Sequence, residues 1–308
     1  MDLSIEIAPR HQSGLKLANP VMAASGTFGY GTEYASLIDI QQLGAIVCKG
    51  TTLRARDGNP QPRLVETPGG LLNSIGLQNI GVESVIREKA PIWAKWQVPI
   101  IVNIAAESVE EYAAIAENLE GVEGISAVEV NISCPNSRAG GLEFGADGYM
   151  AKEVTLAVTS STTLPVIVKL TPNVTDMLSI AHAVVDGGAH ALTVSNTIAG
   201  MSVDIRRRRP ALGLRRGGLS GPAVKPIALN LVYLVSQAVG VPVIGCGGIA
   251  STQDALEFLM AGATAVQIGT ANFVDPTAMP KTIEGIRKYM EEEGFETVGD
   301  IIGLARAD

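Results

Sequence analysis

The segment AVEVNISCPN, residues 127–136, holds the densest group of potentially reactive side chains in the sequence. Its first half alternates apolar and polar residues and predicts a buried strand. The strand should stop before Pro135, which leaves Cys134 on the following loop beside Asn131, Ser133 and Asn136. The three histidines, His11, His182 and His190, are far from any motif, so no Cys–His pair is indicated. A thiolate acting as a general base therefore fits Cys134 better than an acylated nucleophile, although an inert buried thiol is the commoner fate of cysteine.

Two lysines end apolar strands, Lys49 in IVCKG and Lys169 in VIVKL. Burying an ammonium group without an anion is costly, so both should point toward negative charge in the mouth of the fold. A cation near N1 of an isoalloxazine ring would stabilise its anionic reduced form. A surface salt bridge is the alternative for either lysine alone.

Four asparagines, Asn73, Asn103, Asn131 and Asn196, lie at predicted strand ends or in a long loop. Asparagine is common in turns, so each one alone is unremarkable. Together they offer neutral donors and acceptors that could read the edges of a polar heterocycle. The set predicts a site for an imide-like ligand.

The segment GCGGIA, residues 245–250, matches the dinucleotide-binding pattern GxGxxA. We reject that interpretation because the match comes near the end of the chain and the next strand ends without an acidic residue for a ribose. Gly247 and Gly248, with Gly269 and Thr270 after the following strand, instead predict a phosphate site at the last two strands of a barrel. The alternative is that these glycines only make tight turns.

Eight short apolar runs, rich in Val and Ile and separated by helical patterns, predict a parallel sheet covered on both faces. They are residues 20–23, 45–48, 99–103, 128–132, 165–170, 191–195, 242–245 and 265–268. The main helical patterns are residues 83–95, 109–119, 149–159, 175–186, 222–239, 252–260 and 277–292. Eight such units favour an α/β fold, a closed (β/α)8 TIM barrel, forming a single domain over residues 1–308. An N-terminal β-hairpin, residues 4–7 and 15–17, should plug one end, and two long βα loops, residues 51–81 and 197–221, should cover the active site.

The formal net charge of −8 argues against a protein that binds nucleic acid or an anionic membrane. Residues 1–20 lack the pattern of a signal peptide, and no apolar run is long enough to span a bilayer, so a cytoplasmic protein is expected.

Three widely spaced cysteines predict no disulfide framework and no metal or iron–sulfur site; Cys48 and Cys246 are expected in the core. The arginine-rich stretch, Arg206 to Arg209 with Arg215 and Arg216, is interpreted first as solvated surface, and second as a docking site for an anionic substrate or an acidic partner.

Several motifs together resemble class 1 dihydroorotate dehydrogenases over nearly the full length. They are NISCPN, CKGTT, GNPQPR, TPGGLLNSIGLQN, VKLTPN, SNT, GGLSGPAVKPIAL and GCGGI. The cysteine of NISCPN separates the sequence from class 2 enzymes, which have a serine there, and the membrane-associating N-terminal extension of class 2 is not expected.

The resemblance implies an FMN enzyme that oxidises (S)-dihydroorotate to orotate in de novo pyrimidine (UMP) biosynthesis. It implies FMN contacts at Ser25, Lys49, Gly50, Asn103, Asn131, Lys169, Ser195, Gly221, Gly247, Gly248, Gly269 and Thr270. It implies substrate contacts at Lys49, Asn73, Ser74, Ile75, Gly76, Leu77, Asn131, Asn196 and Thr197. Cys134 would take the proton from C5 while hydride leaves C6 for flavin N5.

The TPGGLLNSIGLQN motif resembles class 1B, the NAD-linked form, more than the fumarate-linked class 1A. This implies a homodimer that assembles with a second subunit carrying FAD and a [2Fe–2S] cluster into a heterotetramer. Alternatives are a class 1A-like enzyme and another FMN barrel reductase acting on a pyrimidine, similar to dihydropyrimidine dehydrogenase or dihydrouridine synthase. A further alternative is a phosphate-binding barrel without redox function, either an isomerase or a scaffold, but it leaves the lysines and asparagines unexplained.

Overall fold

The computed structural model describes residues 1–133 and 143–306. Eight parallel strands close into a barrel in which each strand pairs with the next one along the chain and the last pairs with the first. They are Val21–Ala23 (β1), Ala45–Val47 (β2), Ile100–Ile104 (β3), Ala127–Asn131 (β4), Val166–Lys169 (β5), Ala191–Val194 (β6), Val243–Cys246 (β7) and Ala265–Ile268 (β8). The predicted (β/α)8 barrel is confirmed, and its strand ends lie within about one residue of the predicted ones.

Helices cover the outside of the barrel. The α-helices are Val82–Ser84, Ala90–Trp93, Val109–Leu119, Gly148–Ser161, Met177–Asp186, Lys225–Ala238, Thr252–Ala261, Ala271–Val274 and Ala278–Glu293. The short 3-10 segments are Ile40–Gln42, Phe144–Ala146, Pro222–Val224, Val298–Ile301 and Leu304–Arg306. The helix predicted over residues 83–95 is interrupted by a π-helical turn, Val85–Lys89, next to Pro91, which has no N–H to donate. The connection from β1 to β2 contains the 3-10 turn Ile40–Gln42 and no α-helix.

Alternation along the strands divides the apolar side chains between two cores. Outward-facing residues such as Val128 and Val130 pack against the helices. Inward-facing residues at the amino ends of the strands, such as Met22 and Ile167, form a second cluster with Leu15 and Leu17. Leu17 belongs to the hairpin Ile5–Glu6 and Lys16–Leu17. The hairpin therefore closes the amino-terminal end of the barrel, as predicted.

The two long loops meet in one antiparallel sheet of four strands. Its order is Ile198–Gly200, Gly217–Ser220, Gly70–Asn73 and Leu64–Thr67, so strands from the second loop pair with strands from the first. Residues from both loops line the pocket at the carboxyl ends of the barrel strands. The prediction that both loops cover this face is confirmed, although the sequence did not predict that they share a sheet.

Candidate active site

A pocket of about 500 Å³ opens at the carboxyl ends of the barrel strands, beneath the four-stranded sheet. This volume is ordinary for a small-molecule or cofactor site. Every predicted cofactor or substrate residue lines it, as does Ser133: Ser25, Lys49, Gly50, Asn73, Ser74, Ile75, Gly76, Leu77, Asn103, Asn131, Lys169, Ser195, Asn196, Thr197, Gly221, Gly247, Gly248, Gly269 and Thr270. Residues separated by more than 200 positions in the sequence are therefore brought to one cavity.

The strand end before Cys134 is firmly held, although Cys134 itself lies outside the described residues. The Tyr112 hydroxyl donates a 2.6 Å hydrogen bond to the backbone oxygen of Asn131. The side-chain oxygen of Asn131 accepts from the backbone N–H of Ser133 at 3.2 Å. The end of β4 is thus fixed at the pocket wall, and the assignment of Cys134 as the base stays a prediction.

The two lysines differ in their environments. Lys169 is buried, with Nζ 3.8 Å from Oε1 of Glu129 and donating to Oε1 of Gln267 at 3.3 Å. Burial alone would lower the pKa of Lys169, but attraction to Cys246 and Glu129 outweighs burial and raises it. Lys49 is half-buried, and desolvation lowers its pKa. No carboxylate in the described ranges lies within 4.0 Å of the Lys49 ammonium, so this cation faces the pocket unpaired.

Two of the asparagines are hydrogen-bonded to each other, a third is bonded to backbone, and polar atoms remain free. Asn196 donates from Nδ2 to Oδ1 of Asn131 at 3.0 Å, and its own Oδ1 accepts from the backbone N–H of Thr197 at 2.8 Å. Asn73 donates from Nδ2 to the backbone oxygen of Gly218 at 3.2 Å, which joins the two long loops. Within residues 1–133 and 143–306, no group bonds to Oδ1 of Asn73 or Nδ2 of Asn131. One acceptor and one donor therefore remain for a ligand, as the imide-binding hypothesis requires.

The glycine loops after β7 and β8 have the geometry of an anion cradle. Gly248 has a φ of +77°, and a Cβ there would lie 2.6 Å from the backbone nitrogen of Lys225. None of the described residues accepts a hydrogen bond from the backbone N–H of Gly248, Gly269 or Thr270. Unpaired N–H groups on adjacent strand ends suit an anion such as a phosphate.

The sequence reasoning missed a buried polar network below the pocket. Glu129 is fully buried inside the barrel, where it accepts hydrogen bonds from Asn103, Thr193 and Gln267. The signal was present in AVEVN: alternation places Glu129 on the opposite face from Val128 and Val130, and a carboxylate in a buried strand needs partners. Two other buried strands also contain a single polar residue each: Thr193 in ALTV of β6, and Gln267 in AVQI of β8.

The prediction that both remaining cysteines are core residues is half right. Cys48 is fully buried, and desolvation raises the pKa of its thiol to about 12, so it is an inert core thiol. Cys246 was wrongly predicted, because it ends β7 on the inward face, is partly exposed and lines the pocket. Burial of its sulfur raises the pKa of Cys246, while the nearby Lys169 opposes this shift. Alternation along β7 explains why Cys246 reaches the pocket. Cys246 lies two residues after Ile244, which faces inward, so both side chains are on the inner face.

Other groups noted in the sequence lie away from the pocket. Arg206 to Arg209, Arg215 and Arg216 are all exposed, consistent with solvated surface. His11 and His190 make an edge-to-face contact at 4.8 Å between ring centroids, and burial lowers the pKa of His190.

In the described part of the chain there is no cluster of three or more residues suited to hold a metal ion. The same residues contain no helix with the length and apolar character needed to cross a membrane.

Comparison with known proteins gives one consistent result. The family model for dihydroorotate dehydrogenase matches residues 10–290. The chain is 53% identical over 302 residues to the catalytic subunit of dihydroorotate dehydrogenase B (NAD(+)) from Geotalea uraniireducens, covering 98% of this chain and 97% of that protein. It is 55% identical over 291 residues to the protein of the same name from Desulforamulus reducens, covering 94% and 96% of the two chains. The corresponding protein of Geobacter sulfurreducens is 50% identical over 302 residues, 98% and 97% of the two chains.

The motif-based resemblance is confirmed by these matches, which extend over almost the whole chain and combine with a barrel whose pocket collects the motif residues. Enzymes of this family are generally flavin-dependent, and the free N–H groups of the glycine loops agree with that dependence. The chain belongs to the dihydroorotate dehydrogenase family.

Proposed function

We propose that this chain oxidises (S)-dihydroorotate to orotate in pyrimidine biosynthesis, with FMN bound in the pocket of a single barrel domain. The observation that carries the proposal is the convergence of an unpaired lysine, linked asparagines and unpaired glycine N–H groups in one cavity of about 500 Å³. A phosphate-binding barrel without redox function would need only the last of these three features.

The residues divide between the two ends of FMN. The backbone N–H groups of Gly248, Gly269 and Thr270 would hold the phosphate, with Gly221 and Gly247 allowing close approach. The residues that would surround the ring are Ser25, Lys49, Gly50, Asn103, Asn131, Lys169 and Ser195. When bound, FMN supplies an acceptor for the hydride that leaves C6 of dihydroorotate.

Pocket residues beneath the covering sheet would bind the substrate. Lys49, the unpaired cation, attracts the substrate carboxylate. Free amide atoms of Asn73 and Asn131 bind the imide edge, together with Ser74 to Leu77, Asn196 and Thr197. Cys134, which follows Ser133 in the sequence, would remove the C5 proton as the general base.

A partner subunit would pass the electrons from this chain on to NAD. This part of the proposal is supported by the names of the relatives, which are catalytic subunits of NAD(+)-linked enzymes. We expect a homodimer of this chain in a heterotetramer with a subunit that carries FAD and a [2Fe–2S] cluster. We expect the enzyme to be cytoplasmic.

The function is tested by adding substrate to the FMN-loaded protein without oxygen. Dihydroorotate should bleach the flavin absorbance and yield orotate, whereas dihydrouracil, which lacks the carboxylate, should bleach it far more slowly. A protein that takes up no FMN, or that is bleached equally by both compounds, contradicts the proposal. The second result would indicate a reductase for another pyrimidine.

Replacing Gly248 by alanine is expected to weaken FMN binding by about tenfold or more, since the new Cβ displaces backbone that carries the phosphate-binding N–H groups. Fluorescence titration of the apoprotein with FMN measures the effect. The matched control is Gly294→Ala, where φ is +79° but nothing lies within 4 Å of the added Cβ. Both variants have similar backbone strain, so equal FMN affinity in the two would contradict the cradle.

A further inference from the structure

Glu129 is an ionisable group that the proposed chemistry does not use. It is 0% exposed and lies inside the barrel, one inward-facing position before Asn131 on β4. Removing a carboxylate from water costs several kcal/mol unless hydrogen bonds and an opposite charge compensate. Its surroundings should therefore show why a carboxylate is kept there.

Among the described residues, every hydrogen-bond partner of this carboxylate is a donor. Asn103 donates from Nδ2 to Oε1 at 2.7 Å, and Gln267 donates from Nε2 to Oε2 at 2.7 Å. Thr193 is 2.8 Å from Oε2 and also accepts from Gln267 at 3.3 Å, so its own hydrogen is directed to Glu129. Lys169 adds a positive charge 3.8 Å from Oε1. The group is thus a carboxylate that is saturated by donors.

These bonds determine what the neighbours present to the pocket. Because Asn103 uses Nδ2 to bind Glu129, its Oδ1 is directed away, toward Gly50, where an added Cβ would lie 3.1 Å from it. Gln267 likewise turns its Oε1 to Lys169. Asn103 and Lys169 both line the pocket. One buried carboxylate therefore orients an amide and partly neutralises an ammonium at the pocket floor.

We propose that Glu129 is a positioning residue that sets the reduction potential of the bound flavin, by balancing the charge of Lys169 and fixing the amide of Asn103. The inference rests on the proposed FMN site. An ammonium near the flavin ring favours the reduced, anionic ring, and a carboxylate 3.8 Å from that ammonium weakens the effect. Glu129 therefore holds the potential lower than Lys169 alone would.

Glu129→Gln tests this because it keeps the size and removes the charge. In the FMN-loaded protein, the equilibrium constant for flavin reduction by a reference dye should rise about tenfold or more, and the flavin absorption bands should shift. Thr193→Val removes one hydrogen bond but keeps the charge, so its constant should stay within about twofold of wild type. Glu284→Gln, an exposed change of the same kind, controls for net charge.

Removing one charge of a buried ion pair, as Glu129→Gln does here, can prevent folding. Glu129→Asp is therefore a second test variant. It keeps the charge but withdraws it from Lys169 and Asn103 by one methylene, and we expect a smaller rise of about two- to fourfold in the same constant. Unchanged constants and spectra in whichever of the two variants fold overturn the inference. A wild-type protein that takes up no FMN refutes the proposed function instead.

Discussion

Replacing Cys134 by alanine should lower the rate of flavin reduction by dihydroorotate by about 10²- to 10⁴-fold, the range that a general base contributes. Alanine cannot accept the C5 proton, whereas the pocket residues that we propose as the FMN and substrate site stay in place. The variant should therefore still bind FMN and orotate. Anaerobic stopped-flow absorbance measures the reduction rate, and titration with orotate measures binding.

Two further variants make this result specific. Cys134→Ser should be slower than the wild type near neutral pH, because an alcohol is a far weaker acid than a thiol. Cys48→Ala removes a thiol that is buried outside the pocket, and it should reduce its flavin at nearly the normal rate. Near-normal reduction in Cys134→Ala, or an equal loss in Cys48→Ala, would dismiss Cys134 as the base.

The barrel was predictable because its signals are local. Each strand is a short run of apolar residues that is buried on both faces, and such runs differ clearly from the amphipathic helices between them. Helix starts also depend on local contacts: Asp176 accepts from the backbone N–H of Ser179, and Ser251 and Asp254 form a capping box. With eight strands known, closure brings their carboxyl ends together, and this alone predicts where Lys49, Asn103 and Gly248 meet.

Features that depend on contacts between distant segments were not predictable in this way. The pairing of Gly70–Asn73 with Gly217–Ser220 joins loops that are about 150 residues apart, and neither strand alternates clearly in the sequence. The role of Glu129 depends on three partners from other strands. A single sequence contains the residues of such networks but not their pairing.

The two lysines show how one residue type takes two roles at one pocket. Lys169 has a permanent partner, since Glu129 lies 3.8 Å away and Gln267 accepts its hydrogen bond. Its charge is fixed within the barrel before any ligand arrives. Lys49 has no carboxylate partner in the described residues, and desolvation already lowers its pKa. An arriving anion would relieve that penalty, so Lys49 is the residue suited to recognise the substrate carboxylate.

Lys49→Met should accordingly lower kcat/KM for dihydroorotate by about 100-fold or more, because the substrate carboxylate loses its only nearby free cation among the described pocket residues. Methionine preserves much of the side-chain length without the charge. Steady-state rates with an artificial electron acceptor measure the change. Lys49→Arg, which keeps the charge, should retain more activity than Lys49→Met. Equal loss in the two variants would mean that shape, and not charge, matters at this position.

The pH dependence of kcat/KM tests the same assignment, because it reports the groups of the free enzyme. The pKa of Lys49 is lowered by desolvation, so the ammonium loses its proton at a lower pH than an ordinary lysine. Activity should therefore fall at alkaline pH as Lys49 becomes neutral. In Lys49→Arg the guanidinium stays charged, and the alkaline fall should disappear. If activity still falls at alkaline pH in Lys49→Arg, another group causes the fall, and Lys49 does not recognise the carboxylate.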